Sequence, residues 1–162
     1  MTRLYGRAVV GERLYDYVPD SRWEATSILS SLRLDGRTES LVYGGSLTGD
    51  FFKAWVKDCL CPTLREGDIV IMDNLSSHKV SVIEEMIMQR GARIEYLPPY
   101  SPDLNPVENM WSKLKSFLRK RKERCKEALF EAVAEALKQI SSLDAESWFA
   151  FCGYYSGFCK TI

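Results

Sequence analysis

The sequence holds a single histidine, and that scarcity removes much metal and acid–base chemistry at the outset. With His78 alone and five scattered cysteines (Cys59, Cys61, Cys125, Cys152, Cys159), a structural zinc cage has no ligand set, and Cys59-x-Cys61 is too tight to start one. An odd number of cysteines, in a chain of 162 residues that can bury a core without staples, reads as reduced and mostly packed thiols. Long apolar runs are missing as well. Those present, such as Ile69 to Met72, span only a few residues, so no segment is expected to cross a bilayer. The opening MTRLYGRAVVGERLYD is charged throughout and lacks an apolar core followed by small residues, which excludes a secretory signal and predicts a cytoplasmic protein.

Net charge is also lacking, since 22 Lys+Arg face 22 Asp+Glu. With 46% apolar and 27% charged residues, the composition is that of one globular domain. The zero average conceals segregation. Between Ser112 and Lys126 stand eight basic residues (Lys113, Lys115, Arg119, Lys120, Arg121, Lys122, Arg124, Lys126) against one acidic, Glu123. Such a block makes a positive surface on a neutral protein.

Strand and helix signals alternate along the chain. Thr26 to Leu34, a turn at Asp35-Gly36, and Thr38 to Tyr43 read as a β-hairpin. Glu12 to Val18 alternates apolar and polar residues up to Pro19 and predicts an edge strand. Asp50 to Leu60 places Phe51, Phe52, Trp55, Val56 and Leu60 at helical spacing, with Thr48 or Asp50 as cap and Pro62 beyond the end. Ile69 to Met72 predicts a strand buried on both faces, followed by a helix from about His78 to Arg90 that stops at Gly91. Ala92 to Leu97 predicts the next strand. The loop PPYSPDLNP then leads to a helix with Val107, Met110, Trp111, Leu114, Phe117 and Leu118 on its apolar stripe. From Glu127, Leu129 to Ile140 predicts a final helix, with the aromatics Trp148, Phe149, Phe151, Tyr154 and Tyr155 packed after it or touching another protomer. This order implies a parallel α/β sheet whose ligands sit beyond the carboxyl ends of the strands.

Asp73 stands at such an end. On position alone it serves equally as a turn residue bonding the Asn74-Leu75-Ser76 backbone or as a carboxylate aimed into the crevice. Glu108 has an equally plain structural reading: Asn105 as cap, Pro106 at the first helical position, and Glu108 at the third, returning to the cap. It also stands in the first turn, at the edge of the apolar stripe, where it can face a crevice.

The two residues belong to longer strings. MDNLSSHK (Met72 to Lys79) and LPPYSPDLNPVENMWSKLK (Leu97 to Lys115) resemble the catalytic half of DDE transposases of the mariner superfamily, specifically the bacterial insertion sequence 630 type. The resemblance continues through GRAVVGERLYDYVPDSRWEATSILSSLRLDG and LREGDIVIMDN to about Tyr155. It implies an α/β, ribonuclease-H-like fold, a mixed sheet with flanking helices, in which two aspartates and a glutamate share two Mg²⁺ or Mn²⁺ ions. It implies cleavage and joining of DNA strands at transposon ends and target, with Asp73 as the second aspartate and Glu108 as the glutamate. Hard cations and in-line displacement at phosphorus suit carboxylates better than histidine or cysteine.

The first aspartate of the resembling family has no counterpart here. Asp16 falls in the expected ribbon, Asp20 after a proline and Asp35 in the hairpin turn, so none is carried over. On this reading residues 1–162 form one catalytic domain incomplete at its start, without the family's helix-turn-helix region and without the first, central strand of the sheet. Activity and stability would then wait on another polypeptide fragment or a fused reading frame supplying that part, and the resemblance also implies pairing as a homodimer; the alternative is an inactive remnant that keeps a DNA-binding or association surface. His78 and Lys79 stand beside Asp73 in the motif, and Lys113, Lys115, Arg119, Lys120, Arg121 and Lys122 are expected to track a phosphate backbone. His78 serves equally in packing the helix start, and the basic run equally as a solvated face. Tyr100, Ser101 and Asp103 read as loop structure. An unrelated hydrolase using two carboxylates on sugars would need aromatic platforms beside Asp73 and no metal, which the long loop motif argues against.

Overall fold

A computed structural model describes residues 5–15, 25–73, 81–123 and 125–154. The expected hairpin is present: β1 (Thr26–Leu32) pairs antiparallel with β2 (Thr38–Gly44), setting Ile28 opposite Val42 and Leu29 opposite Leu41. Gly36 turns the chain at φ +84, where a Cβ would lie 2.8 Å from the Ser141 backbone, so both conformation and space require glycine. Helix α1 (Gly49–Trp55) is capped by Thr48, whose Oγ1 accepts from the Phe51 N–H at 3.3 Å, rather than by Asp50.

The single helix expected to Leu60 instead changes pitch. Val56–Leu60 widens into a π turn and Cys61–Thr63 tightens into a 3₁₀ turn with Pro62 inside it. Pro62 supplies no N–H and its ring crowds the carbonyl one turn back, so a regular α-helix cannot run through it.

Strand β3 (Ile69–Met72) lies where expected, and β4 (Arg93–Tyr96) pairs with it in parallel, Met72 opposite Tyr96. Helix α2 (Ser81–Met88) makes the crossover and buries Ile83 and Ile87. Its expected beginning at His78 lies outside the described residues. After a 3₁₀ turn at Pro102–Leu104 come α3 (Pro106–Arg121), α4 (Lys126–Lys138) and α5 (Ser142–Phe151).

Four expectations change. Residues 12–15 of the predicted edge strand are irregular and exposed, because no described strand pairs with them; 16–18 lie outside the described residues. The basic block is two helices, not one face: Lys122 ends α3 in the left-handed region at φ 54, and Cys125 Sγ caps α4 by accepting from the Ala128 N–H at 3.4 Å. Cys125 is therefore exposed rather than packed, whereas Cys61 and Cys152 are buried and burial pushes both thiols up. The C-terminal helix is also split, because Ser141 and Asp144 form a reciprocal capping box that starts α5 anew.

The two strand pairs share the same two layers. Leu29 and Leu41 from β1 and β2 pack with Val70 and Met72 from β3 against Phe52, Trp55, Ile83 and Ile87. On the other side, Leu32 and Ile71 meet Met110 and Phe149, while Ile28 and Val42 meet Leu114, Leu118 and Val133. The hairpin and the β3–β4 pair thus form one middle layer, yet among the described residues no ladder joins them. What joins them is a buried ion pair. Arg33, just past β1, grips both oxygens of Asp68, just before β3, at 2.8 and 3.2 Å, and the Arg65 N–H donates to Asp68 Oδ2 at 2.9 Å. Arg33 is 7% and Asp68 1% exposed.

Candidate functional site

The far end of β3 carries Asp73. Four apolar residues fix the strand in the core, so the side chain that follows is set at the mouth of the middle layer, and its Oδ1 is enclosed by protein. Glu108 comes from the first turn of α3. Asn105 Oδ1 caps that helix by accepting from the Val107 N–H at 3.2 Å, and the Asn105 N–H donates to the Pro102 carbonyl at 3.1 Å. The group to which Glu108 would have returned in a capping box is therefore already taken. Its carboxylate is exposed and makes no bond with a described residue, in contrast to Asp144, which closes the box at α5.

Asp73 and Glu108 line one cavity of about 240 Å³. Its walls are β1 at Ile28–Ser31, β3 at Val70–Met72, Phe52 and Trp55 of α1, and Val107 and Trp111 of α3. The cavity lies between β1 and β3 and bears both carboxylates. It contains oxygen donors and no histidine or cysteine side chain. Among the described residues, no group of three or more His, Cys, Asp or Glu is placed to hold a metal. Asp35 belongs to the hairpin turn, where the Arg37 guanidinium beside it lowers its carboxyl.

The basic residues divide by what they touch. Lys113 is engaged: its ammonium donates to Asp144 at 2.6 Å and to the Gln139 carbonyl at 3.0 Å, and lies over the Trp148 ring. That ammonium, followed by the Ser141 N–H, holds the Asp144 carboxyl at about 2. Arg121 pairs with Glu123 at 3.1 Å and Glu135 at 3.2 Å. Lys115, Arg119, Lys120 and Lys122 are exposed. At about 100° per residue, Lys115, Arg119 and Lys122 share the helical face of Glu108. His78, Lys79 and Arg124 lie outside the described residues.

Sequence reasoning missed the Arg33–Asp68 pair, although its signal was present: each is a lone charge pressed against an apolar run, Leu32 and Leu34 for one and Ile69 to Met72 for the other. It also missed Trp55 as a wall of the cavity, because helical spacing marked it simply as core.

Two carboxylates from separate elements thus line one crevice at the end of a parallel strand. A family model described as DDE superfamily endonuclease matches residues 1–130, and the chain belongs to that superfamily. No curated protein matches the chain. The family acts as a transposase-type nuclease on DNA and generally uses divalent metals. No helix among the described residues is long and apolar enough to cross a membrane.

Proposed function

We propose that the chain is the catalytic part of a DDE transposase of the insertion sequence 630 type in the mariner superfamily, acting in DNA strand cleavage and strand transfer on nucleoid DNA in the cytoplasm. The observation that carries this reading is the meeting of Asp73 and Glu108 in one cavity. Their all-oxygen donor set fits hard Mg²⁺ or Mn²⁺. It fits as part of a site, since two ions need more than two carboxylates and no third is clustered there among the described residues. When bound, such ions activate an entering oxygen and stabilise a leaving one at phosphorus.

The chain's own contribution is to hold two ligands on rigid elements, one at the end of a buried strand and one on a capped helix. Lys115 and Arg119 line the approach from the Glu108 face with positive charge, while Lys113 and Arg121 are engaged by acidic partners. In a ribonuclease-H-like sheet a third carboxylate would stand on a central strand beside Asp73. A second reading is a remnant that binds DNA without cleaving it, which the basic residues at the end of α3 would serve.

Purified chain mixed with end DNA and Mn²⁺ separates these. DNA binding without cleavage, with cleavage restored by a fragment carrying the absent aspartate, is the expected result. Binding that no such fragment converts to cleavage would leave the remnant; Mn²⁺ affinity unchanged in both Asp73→Asn and Glu108→Gln would end the site assignment.

A further inference from the structure

We propose that the outer edge of β2 pairs with the β2 of a second copy of this chain, antiparallel about a two-fold axis at Leu41, so that two hairpins make one four-stranded sheet. Backbone geometry carries this, and neither Asp73 nor Glu108 enters it. The Arg33 N–H donates to the Arg37 carbonyl at 2.8 Å, and the Gly45 N–H donates to the Ala25 carbonyl at 2.7 Å. Bonded and non-bonded pairs alternate in an antiparallel ladder, so the odd-numbered residues of β2 bond β1. Thr38, Ser40, Val42 and Gly44 therefore turn their N–H and C=O groups outward. Among the described residues nothing takes those groups. Thr38 to Tyr43 are nevertheless all half-buried. Helices cover both faces of the hairpin, Leu41 packing toward Phe52 and Trp55 and Val42 toward Leu114 and Val133, and the edge is what remains.

The other outer strand is blunted. β4 has four residues, with Arg93 and Glu95 exposed and paired with each other at 3.4 Å, and short, charged strands discourage pairing. β2 has seven residues, no proline and one charge, Glu39.

The sequence of β2 also fits itself. With Leu41 on the axis, Thr38 faces Gly44 and Ser40 faces Val42, so every outward-facing residue of the strand gains a hydrogen-bonded partner. Moving the axis to Ser40 or Val42 leaves one of them unmatched. The two Leu41 residues meet at the axis with Cα atoms about 4.5 Å apart. Each Glu39 stands opposite a Tyr43 and roughly 13 Å along the strand from the other Glu39, beyond the screening length of about 10 Å.

A second feature fits the same register independently, because Arg37 of one copy crosses Gly45 of the other. Open space surrounds the position a Gly45 Cβ would take. Beside it Tyr43 and Phe51 stack at 4.3 Å between ring centroids, and Phe51 is 41% exposed. An exposed aromatic pair next to an empty position suits a guanidinium laid over the ring. The bonds from Arg37 to Asp35 use in-plane N–H donors and leave the guanidinium faces for stacking.

Sedimentation of the full chain over a range of concentrations should show a monomer–dimer equilibrium, with amide exchange at Ser40 and Val42 slowed at least about tenfold in the dimer. Ser40→Pro removes one outward N–H and should weaken dimerisation at least about tenfold. Ser40→Ala loses the hydroxyl bonded to Ser30 but keeps the N–H, and should dimerise like the parent. Should Ser40→Pro fail to fold, Leu41→Cys combined with Cys125→Ser supplies a second reading: residues facing each other across the axis lie within disulfide reach, so mild oxidation should join the copies at position 41. The proposal is overturned if the chain stays monomeric at every concentration, or if Ser40 and Val42 are already slow in the monomer, which would place this chain's own residues on the edge. It is equally overturned if a dimer leaves those amides fast, if Ser40→Pro dimerises as tightly as the parent, or if a folded dimer of the Leu41→Cys chain does not join at that position.

Discussion

Two aspartates bracket β3, and the protein uses them in opposite ways. Asp68, before the strand, is 1% exposed and surrounded by donors: the Arg33 guanidinium and the Arg65 N–H. Asp73, after it, faces a cavity whose other acidic wall is Glu108. The first carboxylate is neutralised by the fold and holds two strand pairs together. The second shares its cavity with another carboxylate. One buried strand thus carries a structural charge at its entrance and the candidate ligand at its exit.

The contrast is broken most forcefully at the structural end. Asp68→Ala should lower stability by about 3–5 kcal/mol, because it strands a buried guanidinium. Arg33→Met combined with Asp68→Leu should cost clearly less. Urea denaturation of both variants measures this, and equal losses would mean that packing, not charge pairing, secures that end.

At the chemical end, Asp73→Asn and Glu108→Gln should each change stability by no more than about 0.5 kcal/mol. Mn²⁺ affinity should fall about tenfold or more, as when an oxygen ligand becomes a neutral amide. Titration followed by water-proton relaxation reads the affinity; a large stability loss with unaltered Mn²⁺ binding would make Asp73 a second structural aspartate.

Asp144 is an intermediate case, a carboxylate neutralised on the surface. Its folded value of about 2 lies below its ordinary 3.8, so its contribution is full above the ordinary value and disappears as pH falls toward the folded one. Lys113→Met removes the largest cause of that depression. The variant should melt lower than the parent at neutral pH, and the gap should narrow on acidification through this window.

The smallest effect belongs to the exposed helical face. Arg119→Ala should leave stability unchanged and reduce the slope of log affinity for DNA against log salt by about 0.9. An unchanged slope would remove Arg119 from the phosphate track.

Much of this organisation is legible in the residues. Four consecutive apolar positions fix β3, the Asp-Gly turn fixes the hairpin, and Asn105-Pro106 fixes the start of α3, because each is a local decision. Asp73 and Glu108 were legible as candidates for the same reason, but capping chemistry made Glu108 ambiguous. Resolving it needed the Pro102 carbonyl, which takes the Asn105 N–H. The Arg33–Asp68 pair and the engagement of Lys113 by Asp144 join positions far apart in sequence, and no periodicity reports such partners. The break of the basic block at Lys122 was hidden differently: a lysine in the left-handed region leaves no glycine as a marker.

That break leaves α3 as one uninterrupted helix from Pro106 to Arg121. Between Glu108 and Arg119 the helix rises about 16 Å, which is roughly five nucleotides along one DNA strand. A strand lying along this face with a reacting phosphate at Glu108 would meet the Arg119 charge about one half-turn of duplex away. Loop motion cannot alter that interval, because no loop intervenes; only an insertion or deletion within the helix could change it, and the same change would rotate the cation off the acidic face.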